Sequence, residues 1–231
     1  ARSRGLGDVY KRQAFDYYKA SSASAILVDL KSKDILAMAN YPSFNPNDRR
    51  GMNPNLLANR SATDLFEPGS TVKPLAIAGL LQEDVIYKDI IIKTSPGYIE
   101  YEGFLTSDFK DYGTLNLSDV ISKSSNVAMV KLCDKSNSEE IIKNFYKWGF
   151  GKYVNEIFIS NREGYLPSSA DLSAREKVSL CYGYGLQVTL IQLVGAYTAL
   201  FSNGQFQGLN LISGSYNCLL YTSDAADDPW S

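Results

Sequence analysis

Two short polar groupings, each set into apolar helix-forming sequence, hold the side chains of this chain that could do chemistry. The first is "LFEPGSTVKP", residues 65 to 74, which places Ser70 directly after Pro68-Gly69 and Lys73 three residues later. The run from Thr71 to Gln82 is apolar and helix-compatible, and Pro74 falls in its first turn, where a missing N–H is tolerated. A helix is therefore expected to start near Ser70. Positions i and i+3 share a helix face, so an unprotonated Lys73 amine could take the proton of the Ser70 hydroxyl. That needs a lysine pKa lowered by desolvation or by a neighbouring cation, and the apolar "PLAIAGLL" after Lys73 offers the desolvation. The helix N-terminus adds backbone N–H groups and a positive dipole end, which suit an oxyanion forming on an attacked carbonyl.

The spacing alone does not decide. S-x-x-K recurs at Ser107-Asp108-Phe109-Lys110, in polar, turn-like sequence without an apolar helix behind it, and there it reads as solvated surface. A helix N-cap serine with a first-turn lysine is the plain structural alternative for Ser70 as well. The second grouping is "KSSNVAMVKL", residues 123 to 132, which provides Ser124-Ser125-Asn126 at a break between two helices. S-x-N also occurs at Ser43-Phe44-Asn45 and Ser215-Tyr216-Asn217, where loop polarity is explanation enough.

Several elements must position these groups. "SASAILVDL" (22 to 30) and "DILAMANY" (34 to 41), separated by "KSK", read as an antiparallel hairpin, followed by a Pro/Asn/Gly-rich loop to residue 55. Residues 97 to 113 suggest short strands and turns, and 115 to 133 one or two helices. "SEEIIKNFYKWGFG" reads as an amphipathic helix opened by Ser138, with Gly151 just past its end. Helices are expected at 173 to 181 and 189 to 204, flanking the turn "YGYG", residues 182 to 185, whose Tyr184 and glycines could line the cleft but are assigned chiefly to packing. Glu67, Pro68 and Gly69 are expected to shape the turn into the first helix, Gly69 by allowing close backbone approach at the nucleophile. Strands at the front and a helix-rich middle make an α+β fold with partly segregated helices.

Composition narrows the function classes. With 231 residues, 45% of them hydrophobic, the chain can bury a real core. Twenty-three basic against twenty-five acidic residues, without a basic cluster, argue against nucleic acid as a partner. The chain has no histidine and only three separated cysteines, which excludes histidine-based catalysis and a spaced zinc site. Cys133 and Cys181 are expected to be buried, small apolar residues. No stretch approaches the roughly 20 apolar residues of a membrane-spanning helix. The opening "ARSRGLGDVYKRQ" and the closing "CLLYTSDAADDPWS" follow no periodic pattern and resemble translated sequencing-adapter read-through, so residues 1–13 and 218–231 are expected to be a non-native leader and tail.

S-x-x-K followed by an S-x-N grouping is the order found in penicillin-binding proteins and class A β-lactamases. Beyond the two motifs, "AILVDLKSKDILAMANYPSFNPND", "NRSATDLFEPGSTVKP", "DYGTLNLSDVISKSSNVAMVKL", "FYKWGFG", "GYLP" and "YGYGLQVTLIQLVGAYTALFSNG" resemble class B penicillin-binding protein transpeptidase domains, nearly continuously from Ala23 to Gly204. "TDLFEPGSTVKP" and "SSNVAMVKL" are most similar to the cell-division members, the septal peptidoglycan D,D-transpeptidases.

The resemblance implies a β-lactamase/transpeptidase-like fold, an antiparallel sheet flanked by helices plus a helical subdomain, with residues 14–217 as a partial domain incomplete at its C-terminal strands. It implies acyl transfer. Ser70 would attack the penultimate D-Ala carbonyl of a peptidoglycan stem peptide and pass the acyl group to a neighbouring stem's amine, and β-lactams would acylate the same serine. It makes Lys73 the general base, Ser124 a proton relay to the leaving group and Asn126 the holder of the acyl chain's amide, with no metal or organic cofactor. It also implies an N-terminal membrane anchor in the bacterial inner membrane, a periplasmic catalytic domain, and divisome partners including a lipid-linked-precursor glycan polymerase. The family's third motif, Lys-Thr/Ser-Gly, is not found in the 231 residues. Since its strand edges the cleft and supplies an oxyanion donor, this chain by itself is expected to be inactive and poorly stable. Two other functions fit the same fold: a serine β-lactamase, although the Glu-x-x-Leu-Asn segment of class A enzymes is missing, and a non-catalytic binding module.

Overall fold

The computed structural model describes residues 13, 15–45, 47, 50, 53–153 and 161–211. The expected non-native ends lie outside the described residues, apart from Gln13.

The front hairpin forms where its apolar, partly β-branched runs predict, as β1 (Ala23–Val28) and β2 (Ile35–Tyr41), antiparallel with Ala23 opposite Tyr41 and Val28 opposite Ile35. Its turn is wider than "KSK". The Asp29 carboxylate accepts the backbone N–H groups of Lys31 and Ser32, and Lys33 takes a positive φ of 62°. Ile26 and Val28 of β1 and Ile35 and Met38 of β2 pack on a small core of Ala62, Ile191 and Leu209. A short helix, α1 (Arg60–Thr63), crosses this hairpin.

The larger core is helical. A 3-10 turn, Gly69–Val72, runs directly into α2 (Lys73–Gln82). α2 is apolar on nearly every side because it is central, with Leu75, Ala76, Ile77, Gly79 and Leu80 all buried. Around it pack α3 (Leu117–Ser122), α4 (Asn126–Cys133), α5 (Ser138–Lys147) and α7 (Leu190–Leu200), and α6 (Ala174–Leu180) lies against α4 and α5. Each fully buried Leu, Ile or Phe in such a core contributes about 1.5–3 kcal/mol. Two small antiparallel ribbons complete the fold, β3 (Ile92–Lys93) with β6 (Thr114–Leu115) and β4 (Tyr98–Tyr101) with β5 (Phe104–Ser107). Together these elements make an α+β fold of helices and antiparallel ribbons, as the sequence predicts.

Local signals place the helix starts well. Ser173 with Glu176 and Thr189 with Gln192 form full capping boxes at α6 and α7. At α5 the cap sits one residue earlier than predicted: Asn137 accepts the Glu140 N–H, and Ser138 is already helical. The helix stops at Lys147, and Gly149, with φ of 91°, follows its last turn in place of Gly151.

Cys133 and Cys181 are buried, as expected, but they are not inert apolar fillers. They are joined in a disulfide that ties the end of α4 to the residue after α6, with Cα atoms 6.5 Å apart.

Candidate active site

The turn before α2 brings Ser70 to the surface and sends Lys73 inward. Ser70 is exposed, whereas Lys73 is 1% exposed, the largest of the fully buried side chains. The serine sits in the first turn of a helical stretch, where backbone N–H groups have no partner four residues back. Gly69 holds φ at 57° to enter this turn, and a Cβ there would meet open space, so its glycine is needed for conformation alone. The close approach belongs to Gly183 of "YGYG". Its carbonyl accepts the Gly69 N–H at 3.1 Å, and a Cβ on it would fall 2.0 Å from the Gly69 oxygen. The Gly185 N–H donates to Glu67 at 2.9 Å, and Phe66 and Val188 exchange a pair of backbone bonds at 3.0 Å. Thus "YGYG", assigned chiefly to packing in the sequence, braces the turn that carries Ser70. The Tyr197 hydroxyl adds a bond to the Thr71 carbonyl at 2.7 Å.

Lys73 reaches the second grouping. Its Nζ donates to the Ser124 carbonyl at 2.6 Å, to Ser124 Oγ at 3.0 Å and to Asn126 Oδ1 at 2.7 Å. The i, i+3 spacing suggests a direct bond to Ser70; the lysine's bonds are spent instead on Ser124 and Asn126, because the break between α3 and α4 offers three acceptors at once. Lys73, Ser124 and Asn126 are therefore brought together in one network, with Ser70 one turn before Lys73 on the exposed side.

The break explains why Ser124 can do this. Ser125 N–H bonds to the Val120 carbonyl and Ser124 N–H to that of Ile121, the 6→1 and 5→2 pair that ends a helix with a left-handed residue. Glycine is the usual occupant of that position; here it is Ser124, with φ of 54°. A non-glycine residue held there costs about 1–2 kcal/mol. Ser125 then caps α4, its hydroxyl accepting the Ala128 N–H at 3.0 Å.

Burial pushes the Lys73 amine down from 10.5 to about 8, against an opposing pull from the negative charge of Asp108. Asp108 is the residue that the sequence reading misplaced. It lies in the second S-x-x-K copy, taken as solvated surface, yet its carboxylate accepts Ser125 Oγ and Asn126 N, both at 2.6 Å, and Val127 N at 3.0 Å. The rest of that copy is exposed, Phe109 at 95%, so the motif itself carries no catalytic pair. Among the described residues, no group of three or more His, Cys, Asp or Glu side chains could hold a metal ion.

An amine held near 8 against a serine-bearing helix start suits acyl transfer through the serine, and the comparisons bear on which family does this. The model for the penicillin binding protein transpeptidase domain matches residues 23–229. The chain belongs to this family. It is 38% identical over 206 residues to the peptidoglycan D,D-transpeptidase FtsI of Buchnera aphidicola subsp. Schizaphis graminum, covering 88% of this chain and 36% of that protein. It is 37% identical over 198 residues to the FtsI of Escherichia coli K12, covering 86% and 33%. The apo transpeptidase domain of penicillin-binding protein 3 from Burkholderia pseudomallei superposes with a TM-score of 0.81 at 26% identity, covering 92% of this chain and 60% of that one. The chain thus spans about a third of the length of these curated relatives.

Proposed function

We propose that this chain is the nucleophile-bearing part of a septal peptidoglycan D,D-transpeptidase, as the similarity to the two FtsI proteins supports. The observation that carries this reading is the buried Lys73 amine, bonded to Ser124 and Asn126 and set one helical turn from an exposed Ser70. In the forward step the Ser70 hydroxyl gives its proton to the neutral Lys73 amine while Oγ bonds to the penultimate D-Ala carbonyl carbon of a stem peptide. The oxyanion gains from backbone N–H groups at the helix start. Collapse breaks the bond to the terminal D-Ala, whose nitrogen takes a proton through Ser124 Oγ, 3.0 Å from Lys73 Nζ. An ester on Ser70 remains. The amine of a second stem peptide attacks the ester carbonyl, the acyl C–O bond to Ser70 breaks, the amine's proton returns by way of Lys73 to the released Ser70 Oγ, and the cross-link is complete, with Asn126 orienting the acyl chain's amide. A β-lactam, an acylating analogue of the D-Ala-D-Ala end, forms the same ester.

The full-length protein works from the bacterial inner membrane with its catalytic domain in the periplasm, alongside divisome proteins including a lipid-linked-precursor glycan polymerase. A buried disulfide fits an oxidising compartment of this kind. Acylation in this reading also requires a Lys-Thr/Ser-Gly strand, a motif not found in the 231 residues. The test is labelling by a fluorescent penicillin with intact-mass detection, on the 231-residue chain and on the full-length product of the source gene. A single adduct on the full-length protein, lost in Ser70→Ala and missing from the 231-residue chain, is expected. Rapid turnover of penicillin without an adduct would make the protein a β-lactamase, and no reaction at all in the full-length protein would make it a binding module.

A further inference from the structure

Asp108 follows directly on β5, outside both motifs, yet it closes the N-terminus of the helix that carries Asn126. Its Oδ1 takes the backbone N–H groups of Asn126 and Val127, the first two residues of α4, and its Oδ2 takes the hydroxyl of Ser125, the N-cap. These amides have no acceptor within the helix, and an anion placed there gains from the helix dipole as well. The neighbouring Ser107 carbonyl accepts the Asn126 side-chain amide at 3.4 Å, which turns its Oδ1 towards Lys73. Ser125 alone would have capped α4 in the ordinary way, so the carboxylate is a second anchor, from a segment distant in the sequence.

That anchor matters because of what lies beside it. Ser124 is held in the left-handed region, and such a conformation persists only where the surroundings over-determine it. On one side the end of α3 fixes it through the Ser124 and Ser125 N–H bonds. On the other side the hold on Ser125, Asn126 and Val127 is that of Asp108.

We propose that Asp108 is a positioning residue for acyl transfer, clamping the Ser124-to-Asn126 segment from the β4–β5 ribbon so that its hydroxyl and amide meet Lys73. This rests on the transpeptidase reading above. Asp108 also sets the charge felt by the lysine. The elements packed against α2 offer little competition: α7 carries no charged residue, and Asp119 of α3 pairs with Lys123, the residue after that helix, at 3.2 Å. Lys131 of α4 is bonded to the Lys93 carbonyl, Lys147 of α5 pairs with Glu83, Glu140 accepts the Ser136 hydroxyl, and Glu139 and Lys143 are exposed.

The test uses the full-length protein and the second-order rate of Ser70 acylation by a fluorescent penicillin between pH 6 and 10, corrected for the folded fraction by circular dichroism. Asp108→Asn keeps an oxygen for the two N–H groups but loses the charge and the acceptor for Ser125. Its rate should fall about 10-fold at the plateau, and the inflection of its pH profile should move below that of the wild type, since a negative charge that favours the ammonium is gone. Asp108→Ala should fall about 100-fold. If Asp108→Ala does not fold, Asp108→Asn decides. Wild-type labelling with unchanged rate and inflection in Asp108→Asn would leave Asp108 a purely structural cap and overturn the inference. A wild type that does not react with penicillin at all would instead overturn the functional reading on which it rests.

Discussion

If Lys73 is the base for Ser70, the acylation rate must follow the fraction of neutral amine, and the structure sets where that fraction changes. A solvated lysine at 10.5 is neutral in only about three molecules in ten thousand at pH 7. Buried to 1% exposure and brought down to about 8, the Lys73 amine is neutral in about one molecule in ten. The gain in available base is about 300-fold. Below pH 8 the rate of labelling by a penicillin in the full-length protein should rise about tenfold per pH unit, and above pH 9 it should be flat. Lys73→Arg, whose guanidinium stays charged, should lose about 10²- to 10⁴-fold, the usual size of a general-base contribution.

The same shift has a consequence for stability, with a definite sign. Because the folded pKa lies below the unfolded one, the unfolded chain binds more protons between pH 8 and 10.5. The cost of burying the charged amine is fully present below pH 8 and disappears as pH rises through 10.5. It amounts to about 3 kcal/mol for a shift of this size. The stability of the wild type relative to Lys73→Met should therefore improve by about 3 kcal/mol from pH 7 to pH 10.5 in urea titrations, the other titrating groups cancelling between the two proteins. A labelling rate that does not change between pH 6 and 9, with a stability difference that does not move either, would refute a buried, near-neutral lysine.

Gly183→Ala should be among the most damaging small substitutions, since its Cβ meets the Gly69 backbone at 2.0 Å at a φ of 91°; overpacking and left-handed strain together predict a loss of about 3 kcal/mol, read by chemical denaturation. Ser124→Gly and Ser124→Ala both remove the hydroxyl and should both label poorly, but the glycine variant should be the more stable of the two by about 1 kcal/mol because the position has φ of 54°. Breaking the Cys133–Cys181 disulfide by Cys133→Ser with Cys181→Ser should cost about 4 kcal/mol, from the entropy of a loop of sequence separation 48, and in the wild type neither sulfur should react with a thiol-alkylating reagent until the protein is both unfolded and reduced.

The parts of this site that the sequence discloses are those encoded by neighbours along the chain. The hairpin follows from apolar, partly β-branched runs and α2 from an apolar stretch with proline in its first turn, and at α6 and α7 the structure adds capping boxes whose partners lie three residues apart. Even the small errors are local. Asn137 and Ser138 are both good caps, and which one takes the extended backbone depends on a single ψ angle that the residue types leave open. Ser70, Lys73, Ser124 and Asn126 are visible because the members of each pair lie close in sequence, the first pair one helical turn apart and the second two residues apart at the break before α4.

What holds the two pairs in register is contributed from a distance, and nothing local marks it. Asp108 sits 17 and 18 residues before the Ser125 and Asn126 groups it binds, in a stretch whose composition is that of any solvated turn. Gly183 supports the turn before Ser70 from beyond α6, and its requirement for glycine comes from the backbone it touches, since a turn glycine with open space around it would look the same in the sequence. The disulfide partners lie 48 residues apart. In the proposed chemistry a serine, a lysine and an asparagine supply the polar groups, but a lysine brought down to about 8 also needs a dry place, acceptors for its protons and one carboxylate at a controlled remove. Those conditions are set by packing among segments far apart in the sequence, so on the proposed reading a chain could retain both motifs and still lose the chemistry through Asp108 or Gly183 alone.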